Sequence, residues 1–211
     1  MLKRIVILIL TLAAVTGCAT FGTTVKLSDA NRPKLNTIYI NDKIPVDGIH
    51  YFGPGVPPRI GDTSFTQEVA ISRINQFVTE NKIEIDEIVK QAMVNELTKS
   101  GKTITGDIKD ALSVMHLTVL KYGFSIPNGF SSKLVPFIIM RVDVLDQSGT
   151  TIWSYQNFLD LMDNPVEAVP ALEILNNAEN MRIALTEGVN GFAKILVEEM
   201  DNPSQELNKF D

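Results

Sequence analysis

The sequence predicts an α+β fold in which a mostly antiparallel sheet of about four strands carries two main helices packed on one face. Two observations indicate the helices, since apolar residues recur with a 3.6-residue period within 85–100 and again within 178–200. A third observation indicates the sheet, because four segments are rich in β-branched and aromatic residues with alternating polarity. These segments are 36–41, 114–126, 137–145 and 151–159.

The composition is typical of a globular domain. The chain has 211 residues, of which 45% are hydrophobic and 21% are charged. It contains 25 acidic and 19 basic residues, so its formal net charge is −6. Because phosphate contacts need clustered cations, an acidic chain of this kind is a poor candidate for nucleic-acid binding. We therefore expect no nucleic-acid partner.

The N-terminal segment predicts a signal peptide. Lys3 and Arg4 are followed by the apolar run Ile5–Val15 and by two small residues before Cys18. The apolar run is much shorter than the roughly 20 residues that a membrane-spanning helix needs. We expect residues 1–17 to be removed as a signal peptide. The alternatives to a signal peptide that ends before a functional cysteine are an ordinary secretory signal with a chance cysteine and a buried apolar helix.

The stretch Val15-Thr16-Gly17-Cys18 resembles the lipobox of bacterial lipoproteins. The resemblance implies that the Cys18 thiol is acylated, with palmitate among the attached chains, and that Cys18 becomes the first mature residue. It is the only cysteine, which excludes an intramolecular disulfide. Because Ala19 rather than aspartate follows it, the resemblance implies an outer-membrane lipoprotein that faces the periplasm, or a cell-membrane lipoprotein in a Gram-positive cell.

The remaining chain divides into a tether, one domain and a tail. Residues 18–35 are expected to be the acylated cysteine and a flexible tether, because they are rich in Thr, Ser, Gly, Asp and Asn. A single α+β domain is expected over 36–201, with a polar tail over 202–211. Within the domain, residues 45–62 contain four prolines and four glycines. We expect neither a helix nor a central strand in that loop.

Three helices are expected, and signals at their ends support two of them. The helix over 85–100 has two acidic residues in its first turn and a lysine in its last, which is the order that the helix dipole favours. A shorter helix with a similar apolar stripe is expected within 67–79. The C-terminal helix within 178–200 ends before Pro203.

The clearest hairpin in the sequence has the turn Asp146-Gln147-Ser148-Gly149, which joins the strands 137–145 and 151–159. Trp153 and Tyr155 share one face of the second strand. We expect Trp153 to be largely buried.

Tyr51 and Phe52 are candidate partner-binding residues. They lie in the 45–62 loop between Gly48 and Gly53-Pro54-Gly55. Large aromatic side chains on a restrained backbone lose little entropy on binding, which favours a contact surface. The alternative is that both side chains pack back onto the domain.

The order of the elements resembles that of the small α+β domains of envelope lipoproteins. The resemblance is carried by the lipobox, a first strand, an amphipathic helix ending at Lys99-Ser100-Gly101-Lys102, a hairpin with an Asp-x-x-Gly turn and a C-terminal helix. This group includes the lipopolysaccharide-assembly lipoprotein, the curli-secretion lipoprotein and the N-terminal domain of the Tol-system β-propeller protein. The resemblance implies a non-catalytic binding or scaffolding subunit of an envelope transport, secretion or assembly system, with an envelope protein as its partner.

No motif indicates an enzyme, a metal site or a cofactor site. His116 lies among apolar strand residues, and we expect it to be a hydrogen-bonded sheet residue. Asp160 and Asp163 form a candidate carboxylate pair beyond a predicted strand, with a solvated loop or turn cap as their alternative role. The second functional class is therefore a soluble-ligand receptor or a carboxylate-dependent hydrolase with a pocket under the 45–62 loop.

Overall fold

The computed structural model describes residues 22–52, 67–126, 133–158 and 167–202. The strands in these ranges are β1 (Gly22–Val25), β2 (Thr37–Ile40), β3 (Ile49–Phe52), β4 (Thr103–Ile104), β5 (Ser113–Ser125), β6 (Lys133–Asp146), β7 (Thr151–Phe158) and β8 (Val169–Pro170). The helices are α1 (Gln67–Glu80), α2 (Ile85–Lys99), α3 (Ala171–Leu175) and α4 (Ala178–Asp201).

These strands form one mixed sheet. The strand order is β1-β7-β6-β5-β2-β4, with β3 also paired with β5 and β8 paired with β6. Neighbours among β5, β6 and β7 are antiparallel, whereas β2 and β3 each run parallel to β5. The expectation of about four mostly antiparallel strands with two main helices is therefore wrong, because the described chain has eight strands and four helices. The α+β class is correct.

The parallel pairing follows from the connection between β2 and β5. Parallel neighbours need a long crossover connection, which is usually helical. Both α1 and α2 lie between β2 and β5, so β5 runs in the same direction as β2. The unexpected strands have two residues in β4 and β8 and four in β1 and β3. The two-residue strands are too short to show an alternating pattern, β1 has no alternating burial, and β3 lies between proline- and glycine-rich flanks.

β2 and β3 are two parts of one path along β5. β2 pairs with the start of β5 and β3 pairs with its end, and between them Val46 bridges Val119 in parallel. A strand therefore exists within the 45–62 loop, where we expected no helix and no central strand, and among the described strands it pairs with β5 alone. It forms because the four residues of Ile49–Phe52 contain neither proline nor glycine, although both residue types flank them.

Gly123 permits the close approach of β3 to β5. Its φ angle is +148°, in the region that glycine alone adopts readily. A Cβ atom at this position would overlap the backbone carbonyl oxygen of His50 in β3. The pairing between these strands therefore requires glycine at residue 123.

The expected hairpin is confirmed in β6 and β7. The strands pair antiparallel on either side of the Asp146–Gly149 turn. Trp153 is 1% exposed, as predicted, and its ring stacks on Tyr155 with centroids 5.7 Å apart and an interplanar angle of 4°.

The long helices share one hydrophobic core with the sheet. α2 has the expected bounds within a residue, and its buried positions are Ile85, Val89, Ala92, Met93 and Leu97. α4 begins where the Asn177 side chain accepts hydrogen bonds from the backbone N–H groups of Glu179 and Asn180. Gly188 lies against Pro136 of β6. The absence of a side chain at that glycine lets α4 approach the sheet closely.

The segment expected as a flexible tether contributes a strand to the sheet. β1 pairs antiparallel with β7, and the Thr23 hydroxyl donates to Glu199 of α4 at 3.2 Å. Further along, Arg32 donates to the Asp201 carbonyl oxygen at 3.3 Å, and the Lys34 ammonium lies 2.9 Å from Asp146. From Gly22 onwards, the chain is therefore in contact with the domain.

Replacing Trp153 by alanine should lower the free energy of unfolding by about 3–5 kcal/mol, because it leaves a cavity beneath β7. Chemical denaturation measures the change. The control is Leu172→Ala, at a side chain that is 62% exposed, which should change stability by no more than about 0.5 kcal/mol. Equal losses in the two variants would contradict the buried position of Trp153.

Gly123→Ala should lower stability by at least about 2 kcal/mol, because the new Cβ atom overlaps the His50 carbonyl and the φ angle strains the backbone. The matched control is Gly48→Ala, where a Cβ atom meets nothing within 4 Å. Thermal melting of both variants in one buffer tests this prediction. A Gly123→Ala melting curve that coincides with that of Gly48→Ala would contradict it.

Candidate functional site

The structure places Tyr51 in the core. Its side chain is 1% exposed, and burial raises the pKa of its phenol. Of the two alternatives, packing onto the domain is therefore the one observed for Tyr51, and a partner could reach its ring only if β3 left the sheet. Phe52 ends β3, while its side chain lies outside the described part of the structure.

The other candidate residues divide into described and undescribed ones. Cys18, Asp160, Asp163 and the 45–62 loop beyond Phe52 lie outside the described residues. His116 is a hydrogen-bonded sheet residue as expected, with its Nδ1 atom 3.0 Å from Nδ2 of Asn41. Within the described ranges, no three His, Cys, Asp or Glu residues are grouped to hold a metal ion.

A serine, an aspartate and a histidine occupy neighbouring strands of the sheet. His116 of β5 pairs with Asp143 of β6, which pairs with Ser154 of β7. The Ser154 hydroxyl donates to the Asp143 carboxylate at 2.6 Å, and Arg141 forms an ion pair with the same carboxylate at 2.8 Å. Ser154 is 2% exposed. These contacts form a structural network, since a serine nucleophile would be accessible and would donate its proton to a base such as histidine.

A cleft of about 390 Å³ lies between the segment that contains β8 and α3 and the first half of α4. We call it the acidic cleft. Its charged lining residues are Lys133, Glu167, Glu173 and Glu187. Its other lining residues are Ala168, Val169, Pro170, Asn180, Ile183 and Ala184. Three carboxylates face one ammonium group, so the lining has a negative balance around an apolar floor.

The cleft forms because α4 presents a second stripe beside its buried face. Asn180, Ile183, Ala184 and Glu187 are spaced by three and four residues and therefore lie along one side of the helix. Ile183 is 48% exposed and lies outside the stripe that packs into the core. The Asn180 side chain donates to the Glu173 carbonyl oxygen at 3.3 Å, which joins α4 to α3 at the cleft.

The three cleft carboxylates, of which only Glu187 belongs to α4, differ from other carboxylates of that helix. Outside the cleft, Glu179 pairs with Arg182, Glu198 lies 3.9 Å from the Lys194 ammonium, and Asp201 pairs with Lys102.

Within the described residues, by contrast, no side-chain hydrogen bond or ion pair engages the carboxylates of Glu167, Glu173 and Glu187. The cleft therefore presents anionic groups that are available to a cationic group of a ligand. Sequence reasoning missed this site. Its only sequence signal was an isoleucine outside the buried stripe, and single exposed apolar residues are common.

The Asp146 carboxylate has four hydrogen-bond or ion-pair contacts within the described residues. Its Oδ1 atom accepts from the Ser148 hydroxyl at 2.6 Å and from the backbone N–H groups of Ser148 and Thr150, while the Lys34 ammonium lies 2.9 Å from Oδ2. The Ser148 hydrogen bond, followed by that of Lys34, holds the pKa of Asp146 far below its usual range. The ionised group therefore holds the β6–β7 turn and also the segment before β2.

A comparison with protein-family models and one with curated proteins found no match. Among solved structures, the chain is similar to a minor lipoprotein from Acinetobacter baumannii, with 13% identity over 79% of this chain and 90% of that chain and a TM-score of 0.41. It is also similar to a Xanthomonas campestris protein of the DUF330 family model, with 11% identity over 85% of this chain and 93% of that chain and a TM-score of 0.40.

A third similar structure is the PelC dodecamer from Paraburkholderia phytofirmans, with 8% identity over 81% of this chain and 95% of that chain and a TM-score of 0.32. A lipoprotein is thus among the structures to which this chain is similar. These structures do not confirm the expected resemblance to the lipopolysaccharide-assembly, curli-secretion and Tol-system group, which stays a prediction. With identities of 13% or less and TM-scores below 0.5, the likeness carries no argument about what this chain binds.

Asp146→Asn should lower the melting temperature at pH 7, because hydrogen bonds in the folded state stabilise the ionised carboxylate and are absent from the unfolded state. The pKa of Asp146 is lower in the folded state than in the unfolded state. Its contribution to the free energy of unfolding is therefore full above the unfolded-state pKa of about 3.9 and is lost as the pH falls through the folded-state pKa. The difference between parent and variant should therefore shrink below about pH 4. Thermal melts across pH 2 to 7 measure it.

Asp110→Asn is the control, since it removes the same charge from an exposed position at the end of a short 3-10 helix. It should change the melting temperature much less at every pH. A difference between the parent and Asp146→Asn that stays constant with pH would contradict the role of the ionised group.

Proposed function

We propose that this chain is an acylated envelope lipoprotein whose domain acts as a non-catalytic binding or scaffolding subunit of a transport, secretion or assembly system. In a Gram-negative cell, the proposed site is the outer membrane, with the domain facing the periplasm. One observation carries the proposal. It is the sequence Val15-Thr16-Gly17-Cys18 at the end of a basic and apolar leader, in a chain with no other cysteine.

The physics of lipid anchoring supports a permanent membrane position. Each buried methylene contributes about 0.8 kcal/mol, so one acyl chain binds reversibly whereas two or more hold a protein stably. The lipobox resemblance implies two or three chains on Cys18. None of the described helices is long and apolar enough to cross a membrane.

The short sequence separation between Cys18 and the first strand supports the proposal that the domain lies beside the membrane. Only three residues separate Cys18 from Gly22, where β1 begins. An extended chain covers at most about 14 Å over that separation. The described fold therefore begins within a short distance of the proposed anchor, and any partner of the domain would be an envelope component.

A binding role is supported by the acidic cleft. It combines apolar lining residues with anionic side chains that have no hydrogen-bond or ion-pair partner among the described residues, which is the composition of a recognition site. Among the described residues, the serine, aspartate and histidine that neighbour one another are engaged in structural contacts. We therefore propose recognition rather than catalysis.

Cys18→Ser should abolish incorporation of radiolabelled palmitate and leave the chain at its precursor mass, because serine lacks the thiol that accepts the lipid. Labelling followed by mass spectrometry of the purified chain measures both properties. Equal incorporation of palmitate into the parent and into Cys18→Ser would overturn the proposal.

Ala19→Asp is the matched control in a Gram-negative host. It keeps the thiol, so incorporation of palmitate should be unchanged, while the resemblance implies that the protein moves from the outer-membrane fraction to the inner-membrane fraction. An unchanged distribution between the two fractions would contradict the proposed sorting without affecting the anchor itself.

A further inference from the structure

We infer that the acidic cleft binds a basic segment of a protein partner, and that this segment inserts at least one large apolar side chain between α3 and α4. This inference names the class of partner for the proposed binding function and rests on that function. It follows from the charge of the lining, from two exposed apolar side chains and from the position of the cleft on α4.

Charge complementarity selects a cationic partner. Glu173 and Glu187 are exposed on opposite sides of the cleft, and Glu167 adds a third carboxylate. Carboxylates elsewhere on α4 already have partners within the chain, as Glu179 has in Arg182. A Lys or Arg side chain from a partner would supply the opposite charge that these three groups lack.

Two exposed apolar side chains select a partner that is also apolar in part. Ile183 is 48% exposed in the cleft lining, and Leu172 is 62% exposed on α3 between the lining residues Pro170 and Glu173. Val169 and Ala184 also line the cleft. Apolar surface that is surrounded by polar residues marks sites of protein interaction. A purely polar cation would leave this surface exposed to water.

The size of the cleft indicates a segment rather than a whole protein face. A volume of about 390 Å³ lies near the lower limit of pockets that enclose small ligands. It accommodates a few side chains of one peptide segment, with charges at the rim and an apolar side chain at the centre.

The position of the cleft disfavours the lipid surface as its occupant. Thr23 of β1, which follows the proposed anchor, contacts α4 at Glu199. Ile183 lies 16 residues earlier in the same helix, which is about 24 Å along its axis. The cleft is therefore at the end of α4 opposite the contact with β1, the strand that follows the proposed anchor in the sequence.

Binding of defined peptides to the full chain in an uncharged detergent tests the inference. The first probe is a fluorescein-labelled 12-residue peptide of Lys, Leu, Ser and Gly. A second peptide has Ser in place of Leu, and a third has Glu in place of Lys. Fluorescence anisotropy, corrected for detergent alone, should show saturable binding of the first peptide and much weaker binding of the other two. Raised salt should weaken this binding.

Paired variants separate the cleft from general attraction to an acidic protein. Glu173→Gln with Glu187→Gln should weaken binding of the first peptide about fivefold or more, because two charge contacts are lost. The control is Glu179→Gln with Glu198→Gln, which also removes two charges, here from parts of α4 outside the cleft, and should change binding by less than about twofold. Ile183→Ser should reduce the preference for the peptide that contains Leu.

Equal weakening by the cleft and control pairs would overturn the inference, since the attraction would then come from overall charge. Equal binding of the Leu and Ser peptides, preferred binding of the Glu peptide, or no binding of the first peptide up to about 1 mM would also overturn it. Circular dichroism confirms that each variant is folded. Palmitate labelling tests the anchor separately, so failure of either proposal is distinguishable from failure of the other.

Discussion

Pairing on both sides of β5 is the constraint on which the rest of the structure depends. On one side, β6 pairs along nearly all of the 13 residues of β5. On the other side, β2, Val46 and β3 pair with β5 one after another. This arrangement provides hydrogen-bond partners for the backbone N–H and C=O groups of β5, whose alternate side chains, such as Met115 and Leu117, are buried in the core. Gly123 is part of the same constraint, since the last part of the path passes too close to β5 for any side chain.

The helices follow from that sheet. α1 and α2 form the crossover that returns the chain to the sheet in the parallel direction, and α4 packs against β6. Their buried positions belong to one cluster with the inward-facing residues of β5, β6 and β7. Apolar burial is non-directional, so the specificity of the arrangement comes from the strand register and from close contacts such as Gly188 on Pro136.

Long periodic elements could be predicted from the sequence, whereas short and long-range features could not. The period of α2 and α4 and the turn before β7 indicate these elements locally, and Trp153 is buried as its strand pattern predicts. The sequence does not reveal β1, because a strand of four residues with exposed Thr24 and Val25 has no hydrophobic pattern. Its pairing with β7 depends on residues more than one hundred positions away.

The acidic cleft was invisible to sequence analysis for the same reason. Its carboxylates come from α3, α4 and the segment before β8, and each one resembles an ordinary surface glutamate. Only the fold shows that they surround a common space and that their charges have no partner within the described chain. A site built from separate elements depends on tertiary contacts, and here the hydrogen bond between Asn180 and the Glu173 carbonyl sets the spacing of two of its walls.

α4 connects the two ends of the molecule that matter for the proposed function. Near its C-terminus, it contacts β1 through Glu199 and the Arg32 side chain through Asp201, which places this end close to the start of the described chain. Near its N-terminus, it forms one wall of the acidic cleft. A continuous helix of 24 residues has a fixed length of about 36 Å. The cleft therefore lies at the end of α4 opposite its contact with β1, and a partner segment bound there would be separated from the start of the described chain by much of the helix.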